Sequence, residues 1–261
     1  MIKLKVGLKF VSFALWIVLF FVLTIPFLPL TWWAPNFIRP YLIFVVSFCS
    51  QGLLDVLNIK VNSDKVIEKK TYLIVSNHLS YTDILIISSL HPCAFVTSLE
   101  MKRAPFLGQL ITLAGCLFVN RKDKSKIHQE IHKLRLALVS GISVVFFPEA
   151  TSTDGGEVLR FKRPLFESSV ATQIPILPLT INYHKISGDD FNLENRDLVC
   201  WYGDMSFFPH FMNLLKQKSI EVDLTVHAAF TPGLMTSLEM AEYTHTIVKG
   251  AFRPVLTCEG T

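Results

Sequence analysis

The chain has 261 residues, 51% of them hydrophobic and 18% charged, with a mean hydropathy of +0.42; this excludes a protein exposed to water on all sides and implies that part of it meets lipid. The net charge is +4, but its lysines and arginines are interspersed with acids, so no basic stripe offers a groove for nucleic acid and an anionic membrane is the better-matched partner. Five scattered cysteines with no C-x-x-C pair exclude a disulfide scaffold and point to a reducing, cytosol-facing environment.

The amino terminus accounts for the hydropathy. Lys3, Lys5 and Lys9 precede an uncharged run from Phe10 to Leu30, close to the ~20 residues that cross a hydrocarbon layer. A second apolar stretch, Tyr41 to Leu54, follows Trp32, Trp33, Pro35 and Pro40; it is short for a span and is expected to be a shallow, re-entrant or interfacial helix. The first acid of the chain is Asp55, and the leading lysines predict a cytoplasmic N-terminus at the cell (inner) membrane, with the rest of the chain facing the cytoplasm. Proline at positions 26 and 29, and the want of a small-residue cleavage site, argue against a removable signal peptide. Residues 1–58 are read as a membrane-anchoring helical arm and residues 59–261 as a separate α/β domain.

Beyond Asp55 the texture is that of an α/β domain. Short β-rich runs begin at Tyr72, Cys93, Cys116, Ser143, Ile176 and Glu221, and between them lie helix-like stretches. The clearest is Ser125 to Val139, with Ile127, Ile131, Leu134 and Leu138 on one face, Ser125 as N-cap and Gly141 as stop. Alternation of this kind predicts a mixed, mainly parallel sheet flanked by helices.

In such sheets chemistry gathers at the carboxyl ends of strands. The run "TYLIVS" ends there in "NHLSYTD", Asn77 to Asp83. On a continuous helix His78 and Asp83 would point about 140° apart, so their cooperation requires a turn. With His78 leaving the strand and Asp83 opening the helix "DILIISSL", the carboxylate can hold one imidazole nitrogen and leave the other free as a general base. The spacing alone is weak: His184 and Asp189 share it, and a loop histidine beside a capping aspartate would explain either pair.

Three further stretches supply context: "GCLFVNR" from Gly115, "FPEATST" from Phe147 and "IPILPLTI" from Ile174. With "NHLSYTD" they resemble, in order, the four blocks of the glycerolipid acyltransferases, the lysophosphatidic acid acyltransferases and their relatives, from about Thr71 to Asn182 and more loosely to "WYGD" at Trp201. The resemblance implies the glycerolipid acyltransferase fold, His78 as catalytic base and Asp83 as its partner. It also implies Arg121 as a ligand of the acceptor's phosphate, with a solvated strand-end arginine beside Lys122 and Asp123 as its alternative. Glu149 is implied as an acceptor-binding carboxylate, and Asn77 and Gly115 as members of the substrate-binding set, Gly115 also reading as a tight-turn residue that lets the chain approach its neighbours. Thr151 either binds a headgroup or caps a turn. Lys162, in the basic cluster with Arg160 and Arg163, either meets a phosphate of the acyl donor or the lipid surface, or is a solvated helix start. Glu149 has a structural alternative, tying down loop amides.

Two departures stand out. Ala150 replaces the family's usual glycine, at a cost of about 1–2 kcal/mol if that position requires positive φ. Ser98 stands where many phosphate-recognising members have a lysine, with Lys102 and Arg103 as nearby substitutes. The expected reaction is transfer of an acyl chain from acyl-CoA or acyl carrier protein, as co-substrate rather than cofactor, to a lysolipid hydroxyl: 1-acyl-sn-glycerol-3-phosphate giving phosphatidic acid, or another lysolipid such as lyso-ornithine lipid. Its other partner is the phospholipid bilayer. No metal is expected, since His128 and His132 in "HQEIH" place the glutamate wrongly for a zinc-protease motif. Two rivals remain open: a lipid-binding scaffold without catalysis, and a hydrolase using Ser76 or Ser80, neither of which sits in a G-x-S-x-G elbow. The aromatic-rich patch at Phe207, Phe208 and Phe211 reads first as core and second as membrane contact.

Overall fold

A computed structural model describes residues 2–103, 107–120, 125 and 127–255. The chain opens with α1 (Ile2–Thr24), a short 3-10 turn, α2 (Leu28–Trp33) and α3 (Pro35–Leu57). It continues through β1 (Ile59–Ser63), β2 (Leu73–Ser76), α4 (Thr82–Leu90), β3 (Ala94–Ser98), α5 (Leu99–Arg103), α6 (Leu107–Leu113), β4 (Leu117–Val119) and α7 (Ile127–Val139). There follow β5 (Val144–Phe146), α8 (Glu167–Thr172), β6 (Ile176–Ile186), β7 (Asp189–Asp190), α9 (Phe207–Leu215), β8 (Ile220–Val226) and α10 (Ser237–Ala251).

Apolar runs without alternation become strands covered on both faces: every residue of β2 and β5 is buried, as are the first eight of β6. The strands of the described residues form one sheet in the order β1-β8-β6-β2-β5-β3-β4, with β7 hairpinned onto β6. Only β6 pairs antiparallel, with β7 and β8; the other ladders are parallel. The expected mixed, mainly parallel sheet is therefore present. Strand β8 alternates buried and half-buried residues, the mark of a sheet face open on one side. The polar edge strand β1, "IKVNS", carries too little apolar pattern for its sequence to announce it. Because β2 lies between β5 and β6, the parallel β2 and β5 deliver their carboxyl-end loops side by side.

The arm is a helical hairpin. Two stretches, Leu4–Trp33 and Pro35–Leu57, are long and apolar enough to cross a membrane. The second helix corrects an expectation: it starts at Pro35 rather than near Tyr41 and runs 23 residues, because a proline in the first turn gives up no helical hydrogen bond. It ends at Leu57 and is capped by Asn58, whose left-handed φ of 55° allows the chain to turn into β1. Gly52 brings the two helices together; a Cβ there would fall 2.0 Å from the Trp16 ring. Only 11% of the first apolar window is buried against 56% of the second, so α1 is the outward helix and α3 the one packed on the domain.

The domain grips this hairpin at both ends. Near its open end Lys9 Nζ donates to the Gln217 carbonyl at 2.7 Å, and the Phe13 and Phe211 rings lie 4.6 Å apart. Near its tip Arg39 Nε donates to the Gly115 carbonyl at 3.0 Å, while Phe20, Val45, Cys49 and Leu113 form a small separate core.

Candidate active site

The loop after β2 folds back as required for His78 and Asp83 to meet. His78 Nδ1 lies 2.9 Å from Asp83 Oδ2, and that same oxygen accepts the amides of Leu79 at 2.7 Å and Ser80 at 2.9 Å. The other oxygen accepts the Tyr183 hydroxyl from β6 at 2.8 Å, and the Thr82 hydroxyl backs Tyr183 at 2.7 Å. Asp83 is wholly buried in the first turn of α4. A buried carboxylate is tolerable only with such donors, and the helix N-terminus adds to them. Since a carboxylate only accepts, the Nδ1 of His78 carries the proton and Nε2 presents its lone pair. The exposures agree with that division: the His78 side chain is 19% exposed and that of Asp83 0%.

The neighbouring loop after β5 fixes the histidine from its other sides. Phe147 stacks on the imidazole, rings 3.9 Å apart and 9° from parallel. Glu149 Oε1 accepts the His78 amide at 2.8 Å, and the Thr153 amide donates to the His78 carbonyl at 2.9 Å. The "WYGD" segment closes the loop, because the Trp201 amide donates to the Leu79 carbonyl at 2.9 Å and the Ser152 hydroxyl donates to the Trp201 carbonyl. Nearby, His210 Nε2 faces the Cys200 carbonyl at 3.0 Å and so carries the proton, leaving Nδ1 to accept from Tyr81 at 3.0 Å. Burial holds His210 below its ordinary pKa.

Several residues expected to bind substrate occupy scaffold positions. Asn77 is 1% exposed and its amide clamps the Ile181 backbone, donating to the carbonyl at 2.9 Å and accepting from the amide at 2.8 Å. It ties the end of β2 to β6. Glu149 takes its structural alternative: it is 3% exposed, and its second oxygen accepts the Leu159 amide at 2.7 Å. Gly115 is a tight-turn residue at φ 73°, pressed against Arg39 and Ile43 of α3, which explains why the position favours glycine. Thr151 is exposed with its hydroxyl on the Ser152 carbonyl, and Lys162 is exposed with its amide on Pro148. Arg121 lies outside the described residues, two positions after the end of β4.

Ser76 and Ser80 are both wholly buried, so neither hydroxyl can reach an ester in a lipid. That removes the basis of the hydrolase reading. The pair His184 and Asp189 is divided between β6 and β7. Tyr183 had no signal in the sequence, since it stands 100 positions from Asp83 and only the β2–β6 pairing brings it there.

Ser98 ends β3, as the strand run from Cys93 implied. A cleft of about 560 Å³ opens between the arm's tip and the β4–α7 region; Arg39, Lys102, Asn120, Glu130 and Lys133 are among its walls. Lys102 Nζ lies there 5.0 Å from the centre of the Phe118 ring.

Residues 58–182 match a family model described as Acyltransferase. The chain is 32% identical over 163 residues to the lyso-ornithine lipid O-acyltransferase of Rhizobium meliloti, covering 60% of this chain and 56% of that protein. It is 33% identical over 116 residues to the 1-acyl-sn-glycerol-3-phosphate acyltransferase of Neisseria gonorrhoeae, covering 44% and 46%. The matches thus span about half the length of these curated relatives. The crystal structure of the 1-acyl-sn-glycerophosphate (LPA) acyltransferase PlsC from Thermotoga maritima shares the fold, with a TM-score of 0.63 at 20% identity over 97% of this chain and 96% of that one.

Two outcomes test this geometry. Ala150 holds φ 64°, so the position does require the left-handed region, and Ala150→Gly is expected to raise stability. The gain is about 1 kcal/mol, the relieved Cβ strain less glycine's greater chain entropy, read from urea midpoints. For Glu149, burial raises the pKa from 4.5 to about 7, against the opposing pull of the Leu159 and His78 amides. Its protonated form therefore favours folding: the contribution is complete below 4.5 and is lost as pH rises through about 7. Buried His91 and His210 and half-buried His227, whose pKa values are lowered by desolvation, slope the other way. The expected readout is thus the stability difference between wild type and Glu149→Gln, which should shrink as pH rises across that window. A difference flat with pH would contradict the assignment.

Proposed function

We propose, from the match of residues 58–182 to a family model described as Acyltransferase, that the protein transfers an acyl chain from a thioester to the free hydroxyl of a lysolipid at a membrane surface. The observation that carries this reading is the His78–Asp83 contact, with Nε2 free beside a carboxylate that can steady the imidazolium. Nε2 takes the proton of the lysolipid hydroxyl as its oxygen attacks the thioester carbonyl. The new C–O bond forms, the C–S bond breaks, and the departing thiolate recovers the proton from His78. No covalent enzyme intermediate and no metal take part in this scheme.

The acceptor favoured is 1-acyl-sn-glycerol-3-phosphate, with Arg121 as the phosphate ligand. Lys102, in the wall of the cleft, supplies the positive charge absent at Ser98. Lyso-ornithine lipid is the second reading, favoured by the name of the Rhizobium meliloti relative at 32% identity. Acyl-CoA or acyl carrier protein delivers the thioester from water. The helical arm lies within one leaflet, because the domain holds it near both the tip and the open end and an upright hairpin would carry Gly115 and α6 into the hydrocarbon. The cytoplasmic face is the side assigned by the lysines ahead of the first apolar run.

The test is turnover by the purified full chain in phospholipid vesicles, with labelled acyl-CoA or acyl carrier protein and a panel of lysolipids. His78→Ala should lower the rate by about 10²–10⁴-fold. Acylated product from one headgroup alone identifies the acceptor; lipid binding without turnover in the wild type would favour a scaffold. Tyr183→Phe removes one donor from Asp83 without altering the substrate surface. It is expected to lower kcat by roughly tenfold with KM unchanged, as suits a lost hydrogen bond to a charged group.

A further inference from the structure

We propose that helix α9 is a second lipid-contacting element, through which the edge of the catalytic loop is seated against the bilayer. The inference rests on reading the arm as embedded in lipid, and it adds a contact made by the catalytic domain itself. Helix α9 has two unlike sides. His210, Phe211, Leu214 and Leu215 are buried, whereas Phe207 is 51% and Phe208 62% exposed. Two adjacent exposed phenylalanines at the start of a helix are costly in water, since each leaves a large apolar surface unburied.

Lipid is the occupant the geometry favours, because the surface is continuous with the arm. The contacts of Lys9 with Gln217 and Phe13 with Phe211 set α9 alongside α1 and antiparallel to it. Phe207 lies one turn before Phe211 and stacks on it at 5.7 Å, 8° from parallel, so the aromatic row continues beside the apolar part of α1. That helix shows exposed Leu15 and Val18 in the same stretch. From Phe207 the row passes to the Tyr81 ring at 5.1 Å, three residues from His78. Exposed Lys216 and Lys218 follow the helix at its far end, where anionic headgroups would meet them. A lysolipid in the same leaflet would then have its headgroup close to His78 without leaving the bilayer.

The experiment attaches a nitroxide to Phe208→Cys in the full chain, reconstituted in vesicles of equimolar phosphatidylcholine and phosphatidylglycerol, and measures collision with oxygen and with a water-soluble nickel chelate. Val18→Cys serves as the arm reference and Lys249→Cys, an exposed charged position on α10, as the aqueous one. The expected oxygen-to-nickel ratio at 208 is close to that at 18 and severalfold above that at 249. A ratio at 208 matching position 249 overturns the proposal, as does shielding from both reagents, which would mean that protein covers the site. The measurement needs no turnover, so it is decided even if the acyltransferase reading fails. If the label at 18 reads aqueous, it is the arm's embedding that fails, and the label at 208 still decides for α9 by itself. A functional arm uses Phe208→Ser, a change at an exposed side chain that leaves the core intact. Transfer to vesicle-embedded lysolipid should fall by roughly tenfold while transfer to a detergent-dispersed short-chain lysolipid is preserved; an equal fall on both would count against a bilayer contact.

Discussion

The buried charge of Asp83 organises the site. Removed from water, a carboxylate must be surrounded by donors, and here the donors come from separate parts of the chain: the imidazole of His78, the loop amides of Leu79 and Ser80, and the hydroxyl of Tyr183 on β6. Satisfying one anion therefore dictates the path of the loop after β2, the tautomer of the histidine and the register between β2 and β6 at that level. The same contacts leave Nε2 as the free ring nitrogen. A structural necessity and a chemical disposition are met by one set of hydrogen bonds.

The loop after β5 completes the restraint at some cost. It stacks Phe147 on the imidazole and places Glu149 against the His78 amide, yet it bends through Ala150 at φ 64° and keeps a carboxylate where burial raises its pKa to about 7. Unfavourable local choices beside a reactive group are expected where geometry rather than stability has been optimised. The orientation of one side chain is thereby defined from its face, its Nδ1 edge and both of its backbone groups, which is the pre-organisation that proton transfer requires.

The relation of the arm to the domain follows from simple physics as well. The apolar hairpin is bound to the domain near both of its ends, at Gln217 and at Gly115. Its outward face and the exposed end of α9 lie on the side of the edge of the loop after β2, so under the proposed reaction an amphiphile held in the leaflet would need little reorientation to react. Confinement of this kind replaces part of the entropy lost when two substrates meet.

Much was legible in the sequence because it is carried by local pattern. The uniform apolar strands, the hydrophobic face of α7, the positive-φ stops at Gly115 and Gly141 and the turn joining His78 to Asp83 follow from neighbouring residues and their backbone preferences. What only the tertiary structure decided are interactions between distant segments: Tyr183 on Asp83, Phe147 on His78, the backbone contacts of Asn77 and Glu149, and the burial that disqualifies Ser76 and Ser80. A side chain's identity states which bonds it can make, but which partner it meets depends on strand order and packing, and no local pattern encodes those.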